Sequence, residues 1–230
     1  MTSGELAGAT IVFDLDGTLV DSAPDLVRAL NETLDLEGLP RVKLETVRQM
    51  VGRGARVLIE RATTAQGVSF SPTRLDELTE EFVRFYAADI ARHTKPFPGV
   101  PEALTTLASL GAKFVVCTNK RTGLSEQLLD ALDLSRHFSA VIGADAVVER
   151  KPHPDHYRAA VTAAGGVLRR SLMVGDSIAD VAAARGAGAP VIVYRHGYCD
   201  TGADQLGADV LLDRFSDLAP ACRRLLAARP

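Results

Sequence analysis

Two aspartates one residue apart form the most informative feature of the sequence, in the run Asp14-Leu15-Asp16-Gly17-Thr18. The run follows Ile11-Val12-Phe13, an apolar segment typical of a buried strand. Two carboxylates this close repel each other unless a cation or a proton separates their roles. Gly17 allows the backbone to approach a ligand, and Thr18 offers a hydroxyl. A turn or helix-capping aspartate would explain one acid but not the pair, so we interpret the run as a reactive site.

Three further segments carry polar side chains near the ends of predicted strands. Two of them follow an apolar strand directly, and the lysine segment follows one after a short loop. They are Thr118-Asn119, Lys151-Pro152 and Gly175-Asp176-Ser177, the last continuing to Asp180 one helical turn later. Each has an ordinary explanation when taken alone: a common turn, a solvated lysine, or acids that favour a helix N-terminus. Their co-occurrence is informative, because ligands of open parallel sheets bind beyond the carboxyl ends of the strands. We therefore expect four acids, one lysine and two hydroxyls to meet at one edge of a sheet.

The elements that must position these groups are short β-branched runs separated by segments with helical periodicity. Strands that alternate with helices predict a parallel sheet with helices on both faces, an α/β fold with a Rossmann-like core. The predicted strands are Ile11–Phe13, Phe114–Val116, Ala140–Ile142, Leu172–Val174, Val191–Val193 and Val210–Leu212.

The region between the first two predicted strands contains helical patterns and no convincing strand. Ser22 is predicted to cap a helix whose apolar face carries Leu26, Leu30 and Leu34. A longer helix is predicted after Pro72, and residues 95–99 form a proline-rich linker. We therefore predict an α/β core of residues 1–19 and 96–230 and a helical insert of residues 20–95.

Composition excludes several classes of protein. The 230 residues carry 26 Lys+Arg and 29 Asp+Glu, a net charge of −3, which argues against a general nucleic-acid binder. No apolar run approaches the roughly 20 residues of a membrane-spanning helix, and no signal peptide is recognisable. The three scattered cysteines are typical of reduced thiols, so we expect a soluble cytoplasmic protein.

The motifs DLDGT, TN, KP and GDSxxD, in this order, resemble those of the haloacid dehalogenase-like hydrolase superfamily, and in particular its phosphoglycolate phosphatase-like branch. The resemblance covers nearly the whole chain, and the helical insert is similar to the cap domain of that family. Pro98-Gly99-Val100 and Lys120 after the Thr-Asn pair are further similarities to the branch.

The resemblance implies a role for each acid. Asp14 would attack phosphorus and form an aspartyl-phosphate, and Asp16 would protonate the leaving oxygen and later deprotonate water. Mg²⁺ would be held by the Asp14 and Asp176 carboxylates and the backbone carbonyl of Asp16. Asp180 would orient Lys151 or support the metal ion from outside its ligand shell.

The remaining site residues are also implied by the resemblance. Lys151 would offset the repulsion between nucleophile and phosphate, while Thr118 and the Asn119 amide would hold the phosphoryl oxygens. Thr18 is a candidate on the substrate side, as is Arg53 in the turn Gly52-Arg53-Gly54, whose guanidinium could bind a substrate carboxylate. The supporting residues are Gly175 and Ser177.

These roles indicate a Mg²⁺-dependent phosphatase for a small phosphorylated metabolite, with 2-phosphoglycolate as the best guess. Dehalogenases of the superfamily carry Tyr, and phosphonate hydrolases Ala, where Asp16 stands, so Asp16 points to phosphate esters. A β-phosphoglucomutase-like phosphomutase, a pyrophosphatase and a nucleotidase stay open, as does the oligomeric state, monomer or homodimer. A receiver-like phospho-aspartate signalling module is disfavoured, because it needs no insert of this length and carries its phosphoacceptor on another strand.

Overall fold

A computed structural model describes residues 4–199 and 202–227 of the chain. Its strands are β1 (Thr10–Phe13), β2 (Val20–Asp21), β3 (Lys95–Pro96), β4 (Lys113–Cys117), β5 (Val141–Ile142), β6 (Ser171–Gly175), β7 (Val191–Tyr194) and β8 (Val210–Leu212). Its α-helices are α1 (Ala23–Asp35), α2 (Leu44–Arg48), α3 (Ala55–Thr64), α4 (Pro72–Ala88), α5 (Val100–Ser109), α6 (Thr122–Ala131), α7 (Pro154–Ala163), α8 (Ile178–Gly186) and α9 (Leu218–Ala227).

Six strands form one sheet in the order β5-β4-β1-β6-β7-β8, and every neighbouring pair is parallel. Strand β1 lies between β4 and β6, with Phe13 opposite Val116 on one side and Val174 on the other. The carboxyl ends of these three strands therefore lie side by side. The α/β fold with a Rossmann-like parallel sheet is confirmed.

The sheet is buried on both faces, which explains why its strands are continuous apolar runs. Ile11 and Phe13 pack on one face with the helical insert and α5, whereas Val12 packs on the other face with α7 and α8. All three side chains are fully buried. Strand β1 is therefore buried on both faces, between β4 and β6.

The insert differs in one respect from the sequence-based expectation, because its two ends pair as a small antiparallel sheet. Val20 lies opposite Pro96 and Asp21 opposite Lys95. Two-residue strands carry too few residues for an alternating pattern, so sequence periodicity could not reveal them. Helices α1 to α4 lie between β2 and β3, and α1 packs against α4.

Ser22 stands at the N-cap position of α1, but its side chain does not cap the helix as predicted. Its hydroxyl instead donates to Asp16 Oδ1 at 2.5 Å. The backbone carbonyl of Ser22 accepts the amides of Asp25 and Leu26, which secures the first turn.

The division into a core and a separate insert stays a prediction, and its terminal residues 1–3 and 228–230 lie outside the described residues. Among the described helices, none combines the length and the apolar composition that crossing a membrane requires.

Candidate active site

The nucleophile candidate Asp14 lies directly beyond β1 and is held by Lys151. Lys151 Nζ lies 2.9 Å from Asp14 Oδ1 and 2.7 Å from Asp180 Oδ1. The backbone N–H of Leu15 also donates to Asp14 Oδ1, at 2.7 Å. Burial by itself would lower the pKa of Lys151, but the charges of Asp14 and Asp180 raise it above its ordinary value, so Lys151 stays a cation.

Asp176, beyond β6, is oriented by one hydrogen bond on each carboxylate oxygen. The Thr18 hydroxyl donates to Oδ1 at 2.9 Å, and the backbone N–H of Tyr198 donates to Oδ2 at 2.7 Å. A Cβ at Gly17 would lie 2.3 Å from Asp176 Oδ2, and a Cβ at Gly197 would lie 2.2 Å from Asp176 Cβ. Thr18, a candidate for the substrate side, is therefore placed as a fully buried partner of Asp176.

The buried carboxylates Asp14, Asp176 and Asp180 each place one oxygen within 4.8 Å of the others. Burial raises the pKa of Asp14 to about 6, although Lys151 opposes the shift. Burial and the charges of Asp180 and Asp14 raise the pKa of Asp176 well above its ordinary value. A cation between Asp14 and Asp176 would oppose both shifts, and clustered carboxylate oxygens are the donors that hard divalent ions prefer. The residues therefore fit a divalent metal ion.

Asp180 is the least available of the three for a metal ion, because its oxygens already have partners. Oδ1 binds Lys151, and Oδ2 accepts the hydroxyl of Ser177 at 2.6 Å and its backbone N–H at 3.0 Å. Ser177 and Asp180 form a reciprocal capping box at the start of α8. A Cβ at Gly175 would lie 2.4 Å from Asp180 Cβ, so only glycine fits there. Asp180 is thus the fixed ion-pair partner of Lys151.

Asp16 faces away from this cluster. Lys120 Nζ lies 2.8 Å from its Oδ2 and 3.0 Å from its Oδ1, and Ser22 donates to Oδ1. Lys120 Nζ also lies 4.4 Å from the centre of the Tyr86 ring, on α4 of the insert. Burial by itself would lower the pKa of Lys120, but Asp16 and Tyr86 raise it above its ordinary value.

The Thr118-Asn119 pair beyond β4 is buried at the same edge of the sheet. The Thr118 hydroxyl accepts the backbone N–H of Lys120 at 3.3 Å. The side-chain amide of Asn119 donates to the carbonyl oxygens of Gly52 at 2.9 Å and Lys151 at 3.0 Å. Both amide hydrogens of Asn119 thus join the insert turn to the lysine loop, so this side chain is not available to phosphate in this arrangement.

A cavity of about 360 Å³ lies between the core and the helical insert. Its polar lining includes Asp14, Asp16, Thr118, Lys120 and Tyr86. Arg53 is exposed and lines a separate small cleft with Ile178 and Tyr198. The structure therefore brings the sequence-predicted core residues together and places Arg53 outside their cavity.

Two aromatic residues at the site escaped the sequence analysis. In the sequence, Tyr86 fits the apolar face of a predicted helix. Tyr198 contacts Asp176 through its backbone N–H, which its residue type does not indicate. The only available signal for Tyr198 was its position after Gly197, just beyond a predicted strand. Lys120 matches the family branch, but its contacts with Asp16 and Tyr86 cannot be inferred from sequence, because these residues lie in other segments.

Comparison with known proteins gives consistent results over the whole chain. Residues 11–194 match the family model of haloacid dehalogenase-like hydrolases. The chain is 49% identical to a phosphoglycolate phosphatase of Caulobacter vibrioides, over all of this chain and 97% of that protein. It is 41% identical to a phosphoglycolate phosphatase of Agrobacterium fabrum, over 100% and 98% of the two chains. A crystal structure of a predicted phosphoglycolate phosphatase from Haemophilus somnus superimposes with a TM-score of 0.86, at 30% identity over 94% and 98%.

Proposed function

The chain belongs to the haloacid dehalogenase-like hydrolases, and on that premise we propose that it hydrolyses 2-phosphoglycolate through an aspartyl-phosphate. Its relatives make it a phosphoric monoester hydrolase, whose substrates are small phosphorylated molecules. The choice of 2-phosphoglycolate is supported by two relatives, both phosphoglycolate phosphatases, that align with the full length of this chain.

The observation that carries the chemistry is the position of Lys151 between Asp14 and Asp180, at 2.9 and 2.7 Å. A carboxylate nucleophile and a phosphate repel each other, so a fixed cation beside the nucleophile lowers the barrier to their approach. Because Leu15 N–H and Lys151 both hold Asp14 Oδ1, we assign the attack to Oδ2. Burial of all three side chains strengthens these interactions.

The reaction needs two displacements at phosphorus. In the first, an Asp14 oxygen bonds to phosphorus while the ester oxygen leaves and takes a proton from Asp16. In the second, Asp16 removes a proton from water, whose oxygen attacks phosphorus and releases inorganic phosphate with Asp14 restored. Asp16 lies two residues from the nucleophile and lines the same cavity, a suitable position for both transfers.

We assign the divalent ion as Mg²⁺, held by the carboxylates of Asp14 and Asp176 and the backbone carbonyl of Asp16. When bound, it would offset the negative charge of the phosphoryl group. Thr18 and the Tyr198 backbone keep the Asp176 carboxylate in place for this task. The Thr118 hydroxyl, buried beyond β4, is our candidate to hold a phosphoryl oxygen.

A cytoplasmic location also belongs to this proposal. Cys117 and Cys222 are buried thiols that form no disulfide with another described residue, which supports a reducing compartment.

The proposal is tested by measuring phosphate release from a panel of phosphorylated metabolites with Mg²⁺ and with excess EDTA. We expect multiple turnovers on 2-phosphoglycolate, activity that EDTA abolishes, and a loss of several orders of magnitude in Asp14→Asn. A single stoichiometric phosphorylation would instead favour the signalling module, and phosphoryl transfer to a second sugar phosphate would favour the phosphomutase. Retention of more than a few per cent of activity in Asp14→Asn, with deamidation excluded, would rule out the covalent route.

A further inference from the structure

We propose that Lys120 and Tyr86 form a binding site for a carboxylate that the substrate carries next to its leaving oxygen. The proposal rests on the proposed function and adds to it the residues that select the leaving group. It involves two side chains from different parts of the fold: Lys120 beyond β4, and Tyr86 on α4 of the helical insert.

The first observation is that Lys120 is a buried cation at the wall of the cavity. Its side chain is 6% exposed, whereas the side chains of Arg56 and Arg121 are 41% and 42% exposed. Arg150, the third arginine that lines the cavity, is also exposed. Arg56 and Arg121 are also paired with surface acids of the insert, Asp76 and Glu80. A water-shielded ammonium interacts with an incoming anion more strongly than these solvated guanidinium groups do.

The ammonium also has capacity for a second anion. Lysine carries three N–H donors, and the partners of Lys120 Nζ are the two oxygens of one carboxylate, that of Asp16, and the face of the Tyr86 ring. A substrate carboxylate in the cavity could accept the third N–H without displacing Asp16.

The second observation is the Tyr86 hydroxyl, which is buried and has no hydrogen-bond partner among the described residues. Tyr86 is 0% exposed and lines the same cavity, with its ring 4.4 Å from Lys120 Nζ. Buried polar groups without a partner are rare in folded proteins and call for an explanation. An anionic acceptor beside Lys120 would supply that partner once a small movement of α4 opens the hydroxyl to the cavity, because a phenol donates readily to a carboxylate.

The position relative to Asp16 identifies the part of the substrate concerned. Asp16 acts on the leaving oxygen, and Lys120 Nζ lies 2.8 Å from Asp16 Oδ2. In 2-phosphoglycolate the carboxylate carbon is two bonds from the leaving oxygen, so it comes close to Lys120 whenever that oxygen reaches Asp16. A leaving group with a neutral end would gain no charge pairing at this position.

The deciding experiment compares two substrates, 2-phosphoglycolate and the neutral 2-hydroxyethyl phosphate, in Tyr86→Phe. The Tyr86 hydroxyl has no partner within hydrogen-bond geometry among the described residues, so its removal should change the thermal midpoint little. We expect kcat/KM to fall about tenfold or more on 2-phosphoglycolate and to change little on 2-hydroxyethyl phosphate. Lys120→Met also removes the partner of Asp16, so kcat/KM should fall on both substrates. The loss should be greater on 2-phosphoglycolate, with a change on the order of a hundredfold in the ratio of the two kcat/KM values.

A second measurement separates binding from turnover. In an Asp14→Asn background, calorimetry should show weaker binding of 2-phosphoglycolate once Tyr86→Phe is added, and unchanged binding of 2-hydroxyethyl phosphate. Arg56→Gln removes a cavity cation that is already paired with Asp76, so it is the matched control and should leave the substrate ratio unchanged.

The outcomes separate this inference from the proposed function. Equal losses on both substrates in Tyr86→Phe and Lys120→Met would overturn the carboxylate site and leave only a positioning role toward Asp16. A selective loss in Arg53→Gln, with none in Tyr86→Phe, would move the carboxylate to the small cleft. A wild-type enzyme that hydrolyses 2-hydroxyethyl phosphate but not 2-phosphoglycolate would overturn the proposed substrate itself.

Discussion

At the scale of single residues, the two aspartates of the motif have different surroundings. Asp14 is buried and paired with Lys151, whereas Asp16 is held by Lys120 beyond β4 and by Ser22 at the start of the insert. Two carboxylates with different partners can divide nucleophilic and acid–base work between them. The division is imposed by the neighbouring segments, since Asp14 and Asp16 themselves are chemically alike.

The acid role of Asp16 is tested with leaving groups of different basicity. Asp16→Asn should slow the first step on alkyl phosphates by about 10²- to 10⁴-fold, because an alkoxide needs a proton as it departs. The same step on p-nitrophenyl phosphate should slow much less, since nitrophenolate leaves without help. Single-turnover rates are the required measurement, because dephosphorylation slows for both substrates. Equal losses in the first step would remove Asp16 from the acid role.

The motif residues could be predicted from sequence because they follow strands whose apolar character is unmistakable. Asp14, Asp176 and Lys151 meet at one edge of the sheet, although their roles stay predictions. Tyr86 and Tyr198 could not be found in the same way, since their importance depends on which segment packs opposite them.

At the scale of elements, the segment after β7 joins the edge of the sheet that carries Asp176 to the start of α1. The Tyr198 N–H binds Asp176, while the Tyr198 hydroxyl donates to Asp21 at 2.6 Å and accepts the Ala23 N–H at 2.9 Å. Asp21 in turn pairs with Arg48 on α2. One tyrosine therefore connects β6, β2 and the first helix of the insert.

Removing that hydroxyl should loosen the connection without deleting the Asp176 contact. We expect Tyr198→Phe to lose about 1–3 kcal/mol of unfolding free energy, because the Ala23 N–H and Asp21 lose a buried partner. The Mg²⁺ concentration for half-maximal rate should rise as the segment that orients Asp176 gains freedom. Urea unfolding and a Mg²⁺ titration measure the two effects.

Tyr194→Phe is the matched control, since Tyr194 ends β7 just before the segment that carries Tyr198 and packs against Phe97 and Phe215. Both quantities should stay at their wild-type values there. A Tyr198→Phe enzyme with unchanged stability would show that the hydroxyl contacts contribute nothing.

The strands of the main sheet were predictable because burial on both faces requires unbroken apolar runs. The pair β2 and β3 was not, because two residues show no periodicity. Ser22 illustrates a different limit: its residue type favours a helix cap, but a carboxylate at the end of β1 lies within reach and binds its hydroxyl. The preference of Ser22 for a helix cap is overridden there by a hydrogen bond to a residue outside the helix.

At the scale of the whole molecule, the buried carboxylates should make stability depend on the metal ion. Mg²⁺ at about 100 times its Kd should add about 2.7 kcal/mol to the unfolding free energy, because it binds the folded state alone. For a protein of this size that amounts to roughly 5–11 °C in Tm. Differential scanning calorimetry with Mg²⁺ and with EDTA measures the shift. Asp176→Asn should abolish it, and an undiminished shift in that variant would place the ion elsewhere.

A second stability effect involves His156, which is fully buried beside the lysine loop. Its Nδ1 accepts the Lys151 backbone N–H at 3.1 Å, so Nε2 carries the proton and donates to the Ile142 carbonyl at 3.0 Å. Burial, reinforced by the Lys151 charge, lowers the pKa of His156 from 6.5 to about 4. The folded state therefore resists a proton that the unfolded state accepts.

Stability from His156 is fully present above pH 6.5 and is lost as the pH falls toward 4, by up to about 1.4 kcal/mol per pH unit. His156→Gln cannot titrate, so its unfolding free energy should be lower at pH 8 but should fall less steeply over this range. Urea unfolding at several pH values tests this. Parallel pH profiles for the two proteins would show that His156 does not titrate as described.

The central position of β1 has a consequence for how the chain is made. Because synthesis runs from the N-terminus, Thr10–Phe13 leaves the ribosome long before its two neighbours in the sheet, residues 113–116 and 171–174. Until residues 113–116 have emerged the strand has no partner, and its second edge stays unpaired until residues 171–174 follow. The DLDGT motif at the end of this strand therefore reaches its final surroundings only after residue 174 has been made, so we expect the yield of folded protein to depend on chaperones and on the rate of translation.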